Sequence, residues 1–169
     1  SWVIYMGAPK IDVTHPFMNR DVILNLSNGM STTLKMMADI EASFEKPYAS
    51  VDWKSPKEIS VFLILDTDAY KGQVLFHFDK AVAKKIIENM VGSTVAEDSP
   101  EILDGVGEIS NIFYGAAKTK LKESGFDLKM TIPQPCWTKD LPPVANKSLV
   151  MIIPFKIENK DCFVEIVLF

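Results

Sequence analysis

The chain has only two cysteines and two histidines in 169 residues. Cys136 and Cys162 lie far apart, and neither belongs to a closely spaced pair of the kind that grips zinc. His15 and His77 are isolated, with no second ligand three or four residues away, which argues against a zinc site. The thiols are expected to be buried and reduced, in a cytoplasmic setting. No apolar run approaches the roughly 20 residues that a membrane-crossing helix needs. The stretch Ser1 to Met6 is apolar, but it is short for a signal peptide and has no basic flank. Opening on Ser1 points to a processed or trimmed end. A basic stripe is missing too, and the formal net charge is −4, so nucleic acid is not an expected partner. Nor is there a phosphate-cradling glycine loop after a strand, a nucleophile elbow or a metal motif.

What remains is an ordinary globular composition. Apolar residues make up 47% and charged residues 24%, which argues against a disordered chain. The length suits one domain over residues 1–169, large enough to bury a full core. His15 precedes Pro16 and is expected to open a helix, not to catalyse. From there Ile23, Leu26, Met30, Leu34 and Met37 recur at helical spacing to about Ile40. Asp21, Asn25, Asn28, Thr32 and Lys35 take the other side. β-type segments follow at Tyr48 to Trp53, Ile59 to Leu65 and Gln73 to Phe78, with Lys71-Gly72 as the expected turn. Asp79 is expected to cap a helix over Ala81 to Met90 that stops at Gly92.

Ser99-Pro100-Glu101 marks the start of a long helix that ends near Gly125. Strands are then expected at Asp127 to Pro133, Leu149 to Phe155 and Cys162 to Phe169. A loop from Trp137 to Lys147 and a turn at Glu158 to Asp161 connect them. A long helix followed by three strands thus occurs twice, over about 16–91 and 99–169. The pattern predicts an α+β fold with one antiparallel-rich sheet and the long helices packed on it.

The helix from Pro100 has two faces. Ile102, Val106, Ile109, Phe113 and Ala116 form an apolar stripe. Asp104, Glu108, Asn111, Gly115, Lys118 and Lys122 fall within about a quarter turn of one another on the opposite side. A solvated surface with Glu108 supporting nearby lysines is one reading. Two residues run against it. Gly115 costs about 1 kcal/mol relative to Ala inside a helix, and Asn111 is a poor helix former whose amide competes for backbone hydrogen bonds. Locally unfavourable residues on one patch are what a functional surface contains, and a bare glycine lets another backbone approach closely.

The run Asp104-x-x-x-Glu108-x-x-Asn111-x-x-x-Gly115-x-x-Lys118, with its Ile109-Ser110-Asn111-Ile112 texture, resembles the signature helix of the CheC/CheX phosphatases. The order of elements from Pro16 to Phe169 resembles that family too. The resemblance implies hydrolysis of the phosphoaspartate of a CheY-type response regulator. Asn111 would orient the attacking water, and Glu108 would bind a lysine of the partner. Asp104, Gly115 and Lys118 would complete the docking face. An amide has no useful titration, but it can accept one hydrogen bond from a water while donating another, which suits an in-line displacement. The chain is expected to carry no cofactor of its own, the Mg²⁺ belonging to the regulator. A non-catalytic module that binds a receiver domain or a flagellar-switch component through the same face is the alternative.

Asn25 and Gly29 repeat the spacing of Asn111 and Gly115, but Val22 stands where Glu108 would be. One complete site makes the pattern CheX-like, and Val22→Glu is expected to supply a partial second site. Tyr114 puts a bulky ring near the first. In the last segment Val164, Ile166 and Leu168 are expected to face the core. Phe163, Val167 and Phe169 fall on the other side, with only Glu165 to wet it. Such a strand at an open edge needs cover, and CheX-like relatives pair, so a homodimer is expected. An internal strand would need no partner.

Overall fold

The computed structural model describes residues 14–143 and 150–168. Ser1 to Met6, residues 144–147 of the expected loop, and Phe169 lie outside the described residues. A short 3-10 turn, Pro16–Met18, precedes helix α1, Arg20–Ala38. Strands β1 (Ala42–Phe44) and β2 (Tyr48–Ser50) lead to the hairpin β3 (Ile59–Asp66) and β4 (Lys71–Phe78). Helices α2 (Lys80–Val91) and α3 (Pro100–Glu123) follow, then β5 (Gln134–Trp137), β6 (Val150–Ile157) and β7 (Lys160–Leu168).

His15 does open the 3-10 turn Pro16–Met18. Its Nδ1 accepts from the Phe17 amide at 3.1 Å and its Nε2 lies 2.8 Å from the Lys71 carbonyl. Both ring nitrogens are thereby occupied in the neutral tautomer that donates from Nε2. Asn19 then caps α1 by accepting from the Asp21 amide at 2.8 Å.

Among the described residues all strand pairings are antiparallel. The sheet runs β1-β6-β7-β4-β3-β5, and β2 also pairs with β6. The long hairpins β3–β4 and β6–β7 meet at its centre. The short strands are exchanged: β1 and β2 pair with the second hairpin, and β5 with the first. Helices cover one face. Leu26 and Met30 of α1 share a pocket wall with Phe76, Ile153, Val164 and Ile166, and Phe113 of α3 meets Phe76 edge-on at 4.9 Å. Leu75, Val150, Ile152 and Val167 form a second buried cluster, with Trp53, Phe62, Leu141 and Phe163 packed against it.

Several expectations need correction. The first hairpin turns at residues 67–70, where the Thr67 amide donates to the Tyr70 carbonyl and the Tyr70 amide to Thr67 Oγ1, both at 2.9 Å. Lys71 and Gly72 already belong to β4, paired with Asp66 and Leu65. Gly72 is there for close packing: a methyl on it would come within 2.9 Å of the Val167 carbonyl and 3.1 Å of the Phe17 ring. The strand expected over Asp127 to Pro133 is reduced to a single bridge between Leu65 and Met130, and the regular pairing falls at β5 instead. Pro133 and Pro135 lack the amide hydrogens a longer ladder would use. Pro135 is tolerated because β5 is an edge strand. Asp79 sits at the N-cap of α2 but bonds Lys57 at 3.1 Å, and the Lys80 amide is taken by Glu58 at 3.0 Å.

β7 lies between β6 and β4. The edge strand on which the homodimer expectation stood is therefore an internal one. Glu165 does not wet its face. It is 4% exposed and bonds His77 at 2.9 Å, and His77 in turn lies 2.8 Å from the Ser60 hydroxyl. Cys136 is half-buried and Cys162 buried, both as free thiols. Burial pushes the Cys162 thiol up to about 12, so it stays protonated and inert near neutrality. No helix among the described residues is long and apolar enough to cross a membrane.

Candidate functional site

Helix α3 begins as its sequence dictates, with Ser99 accepting from the Glu101 amide at 3.2 Å and Pro100 in the first turn. Lys120 and Lys122 stand in its last turn, where cations favour the dipole. Ile102, Val106, Ile109 and Phe113 are buried as expected. Ala116 is exposed and Ala117 is buried in its place, because the core wraps further around the helix toward α1 than a narrow stripe assumes.

Asp104, Glu108, Asn111, Gly115, Lys118 and Lys122 are all exposed on one side of α3. Glu108 and Asn111 are one turn apart, and neither side chain makes a hydrogen bond or ion pair among the described residues. Glu108 therefore supports no neighbouring lysine, and the reading of this face as a lattice of helical charge pairs loses its central member. Lys118 places its ammonium 6.0 Å from the centre of the Tyr114 ring.

The glycines divide instructively. A methyl on Gly105 would run into the side chain of Ile87 on α2, and one on Gly107 would stand 3.0 Å from Cγ of Pro135 on β5. Both are small because something packs on them. A methyl on Gly115 would meet nothing within 4 Å, so no contact among the described residues accounts for that glycine.

Tyr114 borders this surface, with its ring beside Lys118. Its hydroxyl donates to the Met130 carbonyl at 2.9 Å, fastening the segment before β5 to the side of α3. Nothing in the local sequence pattern announces this tie, since it joins residues with no periodic relation. The site is a convex, open helix face. Among the described residues no three His, Cys, Asp or Glu gather to hold a metal.

The matching residues of α1 are placed differently. Val22 is fully buried, Gly29 packs against Ala117 and Phe113 of α3, and half-buried Asn25 lies 3.4 Å from the Ser124 hydroxyl. The α1 motif faces α3, with Val22 and Gly29 buried and only Asn25 partly in water, so the second site expected from Val22→Glu has nowhere to form.

The sequence model of the family described as "Chemotaxis phosphatase CheX" matches residues 59–156, more than half of the chain and the whole of α3. The chain belongs to the CheX family. Solved structures agree with that assignment. A CheC-like superfamily protein from Shewanella sp. PV-4 superposes with a TM-score of 0.78 at 25% identity, over 90% of this chain and 99% of its own. Chemotaxis protein CheX from Vibrio vulnificus gives 0.75 at 29% identity, over 88% and 99%. Borrelia burgdorferi CheX, solved as a complex with CheY, BeF3 and Mg²⁺, shares the fold with a TM-score of 0.68 at 22% identity, over 89% and 99%. No curated protein matches the chain by sequence. Within this CheX-family fold the exposed Glu108–Asn111 face is the part of α3 left uncommitted to the core.

Proposed function

We propose that this chain hydrolyses the phosphoaspartate of a CheY-type response regulator, with α3 as the docking and catalytic element. The observation that carries the reading is Asn111, exposed on the helix face and unpaired, one turn from an equally unpaired Glu108. The carboxamide oxygen accepts a hydrogen bond from water while its NH2 donates to the same water or to a phosphoryl oxygen. The water is thereby set in line with the phosphorus. As the new P–O bond forms, the bond to the aspartate oxygen breaks. The regulator recovers its carboxylate, and the water proton leaves on inorganic phosphate. Positioning supplies most of the catalysis in such a displacement.

Glu108 takes the docking role, pairing with a cation of the regulator by a charge-assisted contact. Asp104 and Lys118 extend the charged face, and Gly115 leaves room for the partner's backbone. In this reading the Mg²⁺ that neutralises the phosphoryl group is the regulator's. The proposal needs one chain per receiver and does not depend on a homodimer.

The test is turnover of a CheY-type receiver charged with acetyl phosphate. The wild-type chain should speed phosphate release, and Asn111→Ala should lower the rate about a hundredfold or more with binding retained. Full activity in Asn111→Ala defeats the mechanism. A wild-type chain that binds the receiver without accelerating phosphate loss would instead be a non-catalytic binding module.

A further inference from the structure

Two ties hold the segment ahead of β5 against α3. At one end is the Tyr114–Met130 hydrogen bond of 2.9 Å. At the other the Pro135 ring rests on Gly107. Gly107 and Tyr114 are seven residues, or about two turns, apart, so they fall on one line along the helix. Residues 131–134 therefore run antiparallel beside the stretch of α3 that carries Glu108 and Asn111. At 100° per residue Asn111 lies about 40–60° around the helix from that line, and Glu108 about 100–120°.

In the middle of this segment stands Ile132, which is 62% exposed. Its neighbour Thr131 is fixed to β3, donating from its amide to the Ile64 carbonyl at 2.9 Å and accepting from the Ile64 amide at 2.8 Å. Pro133 on its other side is buried. An isoleucine is thus held in water on an anchored backbone, where the core gains nothing from it. On the far border of the exposed band Ile112 is 39% exposed. The polar pair Glu108–Asn111 is flanked on both sides by apolar surface.

We propose that Ile132 is a docking residue for the phosphorylated receiver domain, the apolar wall against which the receiver settles while Asn111 reaches its phosphoryl group. This rests on the reading of α3 as the receiver-binding face. The occupant follows from continuity. A stable interface covers about 800 Å² on each partner, far more than one acid and one amide offer. A receiver seated on Asn111 meets residues 131–134 as the next surface. Interfaces of this kind combine an apolar anchor with charged contacts at the rim. Strand addition by a second copy is the poorer fit, because Pro135 removes an amide from the β5 edge.

The experiment compares wild type with Ile132→Ser, Ile132→Val and a control, Val51→Ser. Val51 is 56% exposed and follows β2, at the opposite edge of the sheet. Affinity is measured for a CheY-type receiver loaded with beryllofluoride and Mg²⁺, and KM and kcat for the acetyl-phosphate-charged receiver. Ile132→Ser should weaken binding and raise KM about tenfold, with the larger share of the loss in KM, while Ile132→Val and Val51→Ser stay near wild type. Melting curves should be unchanged, since the side chain supports no packing. Wild-type affinity and KM in Ile132→Ser overturn the proposal alone. A loss of self-association with receiver binding intact overturns it in favour of a second copy. A wild-type chain that does not bind the receiver at all removes the reading of α3, and this proposal with it.

Discussion

Gly29 of α1 faces Ala117 of α3 so closely that a methyl on Gly29 would lie 3.4 Å from the Ala117 methyl. The motif-like residues of α1 are therefore spent on helix packing, and Val22, fully buried, is part of that core. Val22→Glu would bury a carboxylate without a partner, which costs about 3–5 kcal/mol when no counter-charge is at hand. The expected outcome is a large drop in the urea midpoint. In the Asn111→Ala background it should restore no activity, and recovered turnover there would contradict the buried placement.

Glu108 and Asn111 should separate in kinetics. Glu108→Ala removes a docking charge, so it should weaken receiver affinity about tenfold, measured by titration calorimetry. The effect should shrink as salt is raised, because an exposed charge contact is screened. Asn111→Ala should fall mainly in kcat. Unchanged affinity in Glu108→Ala would assign that carboxylate a role other than docking.

Gly115 offers a trade between stability and function. A methyl there meets nothing within 4 Å, so Gly115→Ala should stabilise the fold by about 1 kcal/mol from helix propensity alone. Thermal melts should rise by roughly 2–4 °C. If a partner backbone approaches at that point, the same variant should lose receiver affinity. A variant that is both more stable and fully active would show that the bare surface is not used.

Tyr114 links α3 to the second wall of the site, and burial raises its phenol above the ordinary tyrosine value. It is thus a proton donor to Met130 at neutral pH. A folded-state pKa above the unfolded one means that this residue's contribution is intact below the ordinary value near ~10 and is lost as the pH climbs through the folded value. Tyr114→Phe should cost about 1 kcal/mol at neutral pH. Its stability should also decline less steeply above pH ~10, as read from urea melts at both pH values. KM should rise as the segment carrying Ile132 loosens.

Much of this protein was legible in its residues taken in order. Ser99-Pro100 and Gly125 bracket α3 as local chemistry requires, since caps and fixed dihedrals act within a few residues. The turn between β6 and β7 falls at Glu158-Asn159, where both residues have positive φ. The exposed band from Asp104 to Lys122 followed from helical period, because one helix face is set by spacing alone. Those features put Glu108 and Asn111 together on one exposed face; their candidate roles came from the resemblance of that helix to the CheC/CheX signature, not from spacing alone.

Tertiary structure decided what spacing cannot carry. Whether β7 was an edge or a centre depended on pairing with β4, which sets Leu75 opposite Glu165 and His77 opposite Phe163, and no local pattern encodes that choice. Whether Asn25–Gly29 or Asn111–Gly115 stayed in water depended on which helix covered the other. Identical spacings have identical local physics, so only the packing of α1 on α3 separates them. The same holds for Ile132. Its place beside Asn111 exists because Tyr114 and Gly107 fasten a non-periodic segment to α3. Such contacts are made only after the chain closes long loops, at an entropic cost met by the assembled core and not by any segment alone.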